Sequence, residues 1–270
     1  MNRTHTLCLG TAALLAATVP ASALSLVFDQ GFETDTAGFF DENNGWTGNV
    51  NRVASGTNGI TSADGSFHAI FTQTNTPNIG LSGPFSQFDG YRTVWPGGML
   101  ASIDIYLDPA TLAAGEGFDY SVAANGSDGS HQRDFIFHVT KDTSTGDLLV
   151  GGSNNTNFDP REDLETINNI ALGSAGWYTF EHAFYDAGDG SLAVDLNLRN
   201  AAGTLLFTET RNSALDVIAT EIGGNRYSWF TNIDVAGGIA VDNAQLSVVP
   251  TPAAFGAGLI GMGAVLLRRR

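Results

Sequence analysis

Short apolar or alternating segments, separated by turn residues, run through most of the chain. Residues 66–71, 100–107 and 134–139 are three of these segments, and each is bounded by Gly, Asn, Asp or Pro. Helical periodicity is nearly absent, since only residues 109–114 and 213–220 could form short helical turns. A chain with this pattern has to bury its apolar side chains between sheets, so the sequence predicts an all-β fold.

Closely spaced turn residues join several of these segments into hairpins. Residues 135–140 lead through a turn at 142–147 into residues 148–150. Residues 178–185, 192–198 and 205–210 follow one another through two glycine-containing turns, which predicts a three-stranded meander. Because no repeat recurs at a fixed period, a solenoid is disfavoured. We therefore predict a two-sheet β-sandwich of the jelly-roll or concanavalin-like kind.

The first 23 residues have the layout of a secretory signal peptide. Arg3 is followed by an apolar stretch over residues 7–19 and by small residues at Ala21 and Ala23, which predicts a signal helix cleaved after Ala23. Cys8 is the only cysteine and lies in this segment. The mature chain is therefore expected to contain neither a disulfide nor a cysteine-ligated metal.

The last 22 residues form a three-part segment with a proline motif, an apolar run and a basic end. These parts are Val249, Pro250, Thr251, Pro252 and Ala253, then residues up to Leu267, then Arg268, Arg269 and Arg270. As a helix, the apolar run would extend about 22 Å, less than the roughly 30 Å hydrocarbon core of a bilayer. Such a helix suits transient insertion, with the arginines held in the cytoplasm.

This tail resembles the C-terminal sorting signals of the PEP-CTERM type, in particular the VPLPA-CTERM variant, with Thr251 in place of Leu. The resemblance implies a protein exported across the inner membrane of a Gram-negative bacterium. It further implies processing by an exosortase-type membrane protease and delivery to the cell surface or an extracellular polysaccharide matrix. An ordinary membrane anchor is the alternative. The chain thus divides into a signal peptide (1–23), one β-sandwich domain (24–248) and a sorting signal (249–270).

The charge of the domain restricts its partners. The chain has 12 Lys and Arg against 28 Asp and Glu, for a formal net charge of −16. Every acidic residue lies within residues 24–248, whereas four of the basic residues lie in the terminal segments. A field this negative repels nucleic acid and anionic ligands, and it favours neutral or cationic partners. The alternative is that the acidity only keeps an exported protein soluble.

The two ends of the domain are similar to the first and last strands of jelly-roll carbohydrate-binding modules. Residues 26–33, followed by Gly38 and Phe39, resemble the opening strand, and residues 239–246 resemble the closing one. The resemblance implies that these two strands pair and that acidic residues from them share a structural Ca²⁺. The matching positions are Glu33 and Asp242, and Asp29 lies nearby as a further candidate ligand. In the alternative interpretation, Asp242 ends its strand in a turn and Glu33 is solvated.

Motifs for catalysis are missing from the sequence. The histidines of the domain occur singly, without a His-Glu-x-x-His pair, and neither a Glu-x-Asp-x-Glu strand nor a Gly-x-Ser-x-Gly turn is present. The acidic cluster at residues 161–165 is interpreted as an exposed charge run. The sequence therefore predicts a protein that is not an enzyme. The alternative is a secreted carbohydrate-active enzyme, a hydrolase or a lyase, whose carboxylates are scattered along the chain.

Aromatic residues in loop-like surroundings are the remaining candidates for function. Tyr91, Trp95, Tyr227 and Trp229 lie near Arg and Asn residues and could stack on sugar rings in a binding groove. For the two tryptophans the alternative is burial at the ends of the sandwich core. We therefore predict an exported, surface- or matrix-associated protein that binds extracellular polysaccharide. A purely structural surface protein without a ligand is the second alternative.

Overall fold

The computed structural model describes residues 24–44, 48–73, 82–88, 98–125, 131–154, 161–217 and 227–248. Within these ranges the chain forms fifteen strands and short 3₁₀ turns at Glu42–Asn44, Thr57–Gly59 and Arg161–Thr166, without an α-helix. None of the helical segments found there has the length and apolarity needed to span a bilayer. The predicted signal peptide and sorting signal, including residues 249–253 and 268–270, lie outside the described residues.

Eight strands form one antiparallel sheet and seven form the other. The strands of the larger sheet are β1 (Ser25–Gln30), β3 (Gly48–Ala54), β4 (Phe67–Gln73), β6 (Met99–Leu107), β11 (Gly176–Asp186), β12 (Ser191–Asn200), β13 (Leu205–Val217) and β15 (Ile239–Val248). Those of the smaller sheet are β2 (Phe39–Phe40), β5 (Ser82–Ser86), β7 (Gly117–Asn125), β8 (His131–Lys141), β9 (Leu148–Asn154), β10 (Asn169–Leu172) and β14 (Tyr227–Thr231). The predicted two-sheet β-sandwich is confirmed.

The chain crosses repeatedly between the two sheets. The larger sheet has the order β13-β12-β11-β6-β15-β4-β3, with β1 added on β15, and the smaller has the order β10-β9-β8-β7-β14-β5-β2. The predicted hairpin is β8–β9, and the predicted meander is β11–β12–β13. The first and last strands of the domain pair as the second resemblance implied, with Asp29 opposite Gln245.

Neither segment that could have formed a short helical turn is helical in the described residues, and residues 218–220 lie outside them. Residues 109–114 form hydrogen-bonded turns but no helix, and residues 213–217 continue β13. A register shift in the β12–β13 ladder brings Val217 opposite Ser191, so pairing with β12 overrides the local helical pattern. The acidic cluster is also more ordered than a solvated run, because Arg161–Thr166 is a 3₁₀ turn that buries Leu164 while Asp163 and Glu165 stay exposed.

Inward-facing aromatic rings fill the space between the sheets. Tyr120 of β7 stacks on Phe230 of β14 at 4.8 Å and meets Phe180 of β11 edge to face at 6.4 Å. His182 is fully buried among these rings, and its Nε2 donates a hydrogen bond to the Phe135 carbonyl at 3.0 Å. Burial lowers the pKa of His182 to about 3, so this imidazole is a neutral part of the core.

Candidate functional site

A continuous row of side chains crosses the outer face of the seven-stranded sheet. Successive strand pairs place these residues opposite one another, in the order Phe40, Phe85, Trp229, Ser121, Ile136 and Ser153. Paired residues of antiparallel strands point to the same face, and none of these six belongs to the core cluster. One half of the row is therefore aromatic, and the other half is small, aliphatic or polar.

A second row runs beside the first and carries a chain of hydrogen bonds. It places Thr231, Asp119, His138, Gly151 and Asn169 opposite one another. His138 Nδ1 lies 2.6 Å from Asp119 Oδ1, and His138 Nε2 lies 2.8 Å from Ser153 Oγ in the first row. Because an ionised Asp119 can only accept hydrogen bonds, His138 Nδ1 carries the proton and donates to it. His138 Nε2 then accepts a hydrogen bond from the Ser153 hydroxyl.

Asn232 completes this network from the segment after β14. Its Nδ2 donates to Asp119 Oδ2 at 2.9 Å, so both oxygens of the carboxylate are hydrogen-bonded. The Asn232 backbone has a φ of 52°, in the left-handed region that asparagine adopts more readily than most other residues with a side chain. Its Oδ1 atom is buried and has no hydrogen-bond partner among the described residues. An unsatisfied buried acceptor thus lies beside this carboxylate.

The 3₁₀ turn at residues 161–166 covers one end of the polar row. A Cβ added to Gly151 would lie 3.2 Å from both the Asn168 carbonyl oxygen and a Leu164 methyl carbon, so the turn packs directly on the strand beside His138. The exposed fractions of Asp119, His138 and Ser153 are 8%, 4% and 3%. The network is therefore held in a shielded position, where hydrogen bonds are stronger than in water.

The predicted glycan-binding residues have different positions. Trp229 lies on the outer face of the seven-stranded sheet, half-buried and opposite Ser121, rather than in the core. Tyr227 belongs to the same strand, at the position opposite Ala123. Tyr91 and Trp95 lie outside the described residues. Trp229 of β14 thus lies on the strand next to that of Asp119, and the sequence had not predicted that these two residues are near each other.

The carboxylates predicted to share a calcium ion lie on β15 and on or just after β1 in the larger sheet. Both oxygens of Glu33 accept the Ser66 N–H, and Oε1 also accepts that of Phe67 at 3.0 Å. Asp29 Oδ1 accepts a hydrogen bond from Gln245 at 3.1 Å. Asp29 and Glu33 share a polar cavity of about 310 Å³, whose lining does not include Asp242.

Asp242 is buried and binds backbone groups. Its Oδ2 accepts the N–H groups of Ala63 and Asp64 at 3.0 and 3.3 Å, and its Oδ1 accepts that of Asn243 at 2.9 Å. Burial, with a smaller contribution from the Asp104 charge, raises the pKa of Asp242 to about 6 despite these hydrogen bonds. In the described part of the chain, no three His, Cys, Asp or Glu side chains are grouped so that they could hold a metal ion. The calcium site stays a prediction.

A cleft of about 520 Å³ lies on the larger sheet. The residues that line it include Ile70, Tyr106, Ala240, Asn58 and Asp108. The Tyr106 ring meets Trp177 edge to face at 5.6 Å, and the indole N–H of Trp177 is bound to the Thr61 carbonyl. Among the described residues, it is the smaller sheet that brings an aromatic side chain into a row with an Asp–His–Ser network.

No protein-family model and no curated protein matches the sequence. The fold is similar to that of a marine PL-14 alginate lyase from Aplysia kurodai (9% identity, 78% of this chain and 89% of that chain, TM-score 0.45). It is also similar to a Lotus tetragonolobus seed lectin (11%, 82% and 96%, TM-score 0.43) and to an endo-β-1,4-glucuronan lyase from Trichoderma reesei (11%, 82% and 94%, TM-score 0.42). At these values no residue role in this chain follows from the similarity.

Proposed function

We propose that the protein binds a polysaccharide on the outer face of its seven-stranded sheet, with Trp229 as the central contact. The observation that carries the proposal is the row in which Trp229 lies between the Phe85 position and Ser121. A half-buried indole offers the stacking surface that a sugar ring needs. Three strand spacings separate Trp229 from Ser153, about 14 Å, so the row is longer than a single sugar ring.

The charge of the protein defines the class of polysaccharide. Acidic residues exceed basic ones by 16 over the whole chain. A polyanionic glycan would be repelled by this field at low ionic strength. The ligand we propose is therefore a neutral or cationic polysaccharide, and its binding should depend only weakly on salt if it is neutral.

A glycan array followed by calorimetry on the hits tests the proposal. Trp229→Ala should weaken binding about tenfold or more, as removal of a central aromatic contact commonly does. Trp177→Ala is the matched control, because it removes the same side chain from the larger sheet, where Trp177 contacts Tyr106. Binding that is lost in Trp177→Ala and kept in Trp229→Ala would place the ligand on the wrong sheet for this proposal. An array without any hit for the folded protein would favour a purely structural role.

A second candidate function, a carbohydrate-active hydrolase or lyase, is favoured by the position of His138. Its Nε2 accepts a hydrogen bond from the Ser153 hydroxyl and its Nδ1 donates one to Asp119, so it has the arrangement of a general base. Chain cleavage of a polysaccharide panel that is abolished by His138→Gln would support this candidate. Binding without any shortening of the polysaccharide would contradict it.

Export and tail processing remain part of the proposal, supported by the sequence of both ends. The mature protein is expected to lack residues 1–23 and the residues after about position 252. Intact mass and location, measured in cells with and without the tail-processing protease, test this expectation. A full-length tail retained in the inner membrane under both conditions would identify an ordinary anchor.

A further inference from the structure

The Asp119–His138–Ser153 network has the connectivity of an activated nucleophile. The three side chains come from adjacent strands β7, β8 and β9, so the sheet fixes their relative positions. The distances of 2.6 Å from His138 to Asp119 and 2.8 Å from His138 to Ser153 are those of strong hydrogen bonds. A hydroxyl bound to a base that is oriented by a third group is the arrangement that nucleophilic catalysis requires.

The proton positions favour attack by the serine. The Asp119 carboxylate accepts a hydrogen bond from the Nδ1–H of His138, which leaves the Nε2 lone pair directed at the Ser153 hydroxyl. Asn232 holds the second carboxylate oxygen at 2.9 Å, so Asp119 cannot turn away from the imidazole. If Ser153 loses its proton to His138, the resulting imidazolium is stabilised by the carboxylate.

Asn232 provides a separate indication of a ligand. Its Oδ1 is buried without a partner among the described residues, and an unsatisfied buried acceptor costs about 1–3 kcal/mol. A structural network that only joined three strands would not need an unsatisfied acceptor. A bound molecule with a hydroxyl or amide donor would satisfy this oxygen.

We propose that Ser153 is a nucleophile that transfers an acyl group from an ester to water. Its oxygen attacks the ester carbonyl carbon while its proton passes to His138 Nε2, and that proton then leaves with the departing alcohol. The acyl group is now esterified to Ser153. Water attacks this ester and gives a proton to His138, which returns it to the Ser153 oxygen as the carboxylic acid departs. Neither a metal nor a redox partner is consumed.

The surroundings restrict the acyl group. Ser153 is 3% exposed and stands opposite Ile136, which is itself buried. This low exposure favours a short acyl chain, such as an acetyl group. The alcohol portion extends along the row toward Trp229, so an acetylated sugar is the natural substrate class. That last step rests on the proposed glycan binding, whereas reaction with a small ester does not.

The proposal is tested by treating the mature protein with a fluorophosphonate probe and, separately, with an activated acetyl ester. The folded protein should be labelled at one site, which peptide mapping assigns to Ser153, and should release the alcohol of the ester catalytically. Ser153→Ala should abolish both reactions. Ser121→Ala is the matched control, because Ser121 is a buried serine in the same row, and it should react as the parent does. Asp119→Asn should slow ester hydrolysis about 10³- to 10⁴-fold at unchanged fold.

The outcomes separate this proposal from glycan binding. A folded parent protein that is not labelled, or is labelled elsewhere than at Ser153, overturns the nucleophile and leaves glycan binding by Trp229 untouched. If Ser153→Ala fails to fold, Ser153→Cys keeps a nucleophilic atom at the same position and should react with a thiol-directed probe faster than a cysteine placed at Ser121. Equal rates for these two cysteine variants would also overturn the proposal.

Discussion

Replacing Asp242 by asparagine should change how the stability of the domain depends on pH. The carboxylate is completely buried, yet its hydrogen-bond donors in the described part of the chain are backbone N–H groups. Burial first, and the Asp104 charge on the adjacent strand as a smaller cause, raise its pKa from 3.8 to about 6. An asparagine side chain would fill nearly the same volume without ever ionising.

The expected magnitude follows from the linkage between protonation and folding. Because the folded-state pKa lies above the unfolded one, the folded protein binds this proton more tightly. The contribution to stability is therefore complete below about pH 4 and is lost as the pH rises through about 6. A difference of one between the two pKa values corresponds to about 1.4 kcal/mol, so the loss is up to about 3 kcal/mol. The parent protein should thus lose up to about 3 kcal/mol relative to Asp242→Asn between about pH 4 and pH 7.

Urea unfolding of both proteins over this pH range provides the measurement. The difference between their free energies of unfolding cancels the groups that titrate equally in both. Asp104→Asn is the control, because it leaves Asp242 ionisable but removes one cause of the raised pKa, so its pH dependence should be weaker than that of the parent. A difference between parent and Asp242→Asn that stays constant with pH, or that grows in favour of the parent as the pH rises, would refute the reasoning.

Three further predictions concern other parts of the domain. His182→Leu should make the domain less sensitive to acid. The lowered pKa of His182 makes the parent protein lose stability as the pH falls below about 6.5, and the leucine variant lacks this titration. Urea unfolding of both proteins at pH 7 and pH 4 measures the difference. Gly98→Ala should lower the Tm more than Gly188→Ala. Both glycines have a positive φ, but only at Gly98 would the new Cβ collide with the carbonyl oxygen of Phe184. Equal decreases in Tm for the two variants would contradict this prediction. The calcium prediction requires millimolar Ca²⁺ to raise the Tm and EDTA to lower it, and an unchanged Tm would argue against it.

The fold class could be read from the sequence because alternation and turn residues are local signals. The β8–β9 hairpin and the β11–β12–β13 meander follow directly from residues between Phe135 and Thr210. Residues 213–217 were mispredicted because their strand conformation depends on a register shift against β12, and a shift of that kind is set by the partner strand.

The candidate site was harder to predict for the same reason. His138 was recognised as a strand residue, but Asp119 and Ser153 were not singled out, because each is one polar residue in an alternating strand. Alternation does place all three on the outer face of the sheet. Only the registers of β7 with β8 and of β8 with β9 bring them within hydrogen-bonding distance, and registers are not written in any one strand.

The pairing of β1 with β15 determines how the domain responds to force. Ser25 stands opposite Val248, so the chain enters and leaves the sandwich at neighbouring points of one sheet. Tension applied between these two ends would open the β1–β15 hydrogen bonds one after another, as in unzipping, rather than shear them together. A tether through residue 249 alone would instead load β15, which is held by β6 and β4 as well as β1. Attachment by the C-terminal end alone would therefore not pull the β1–β15 pair apart from its two chain ends.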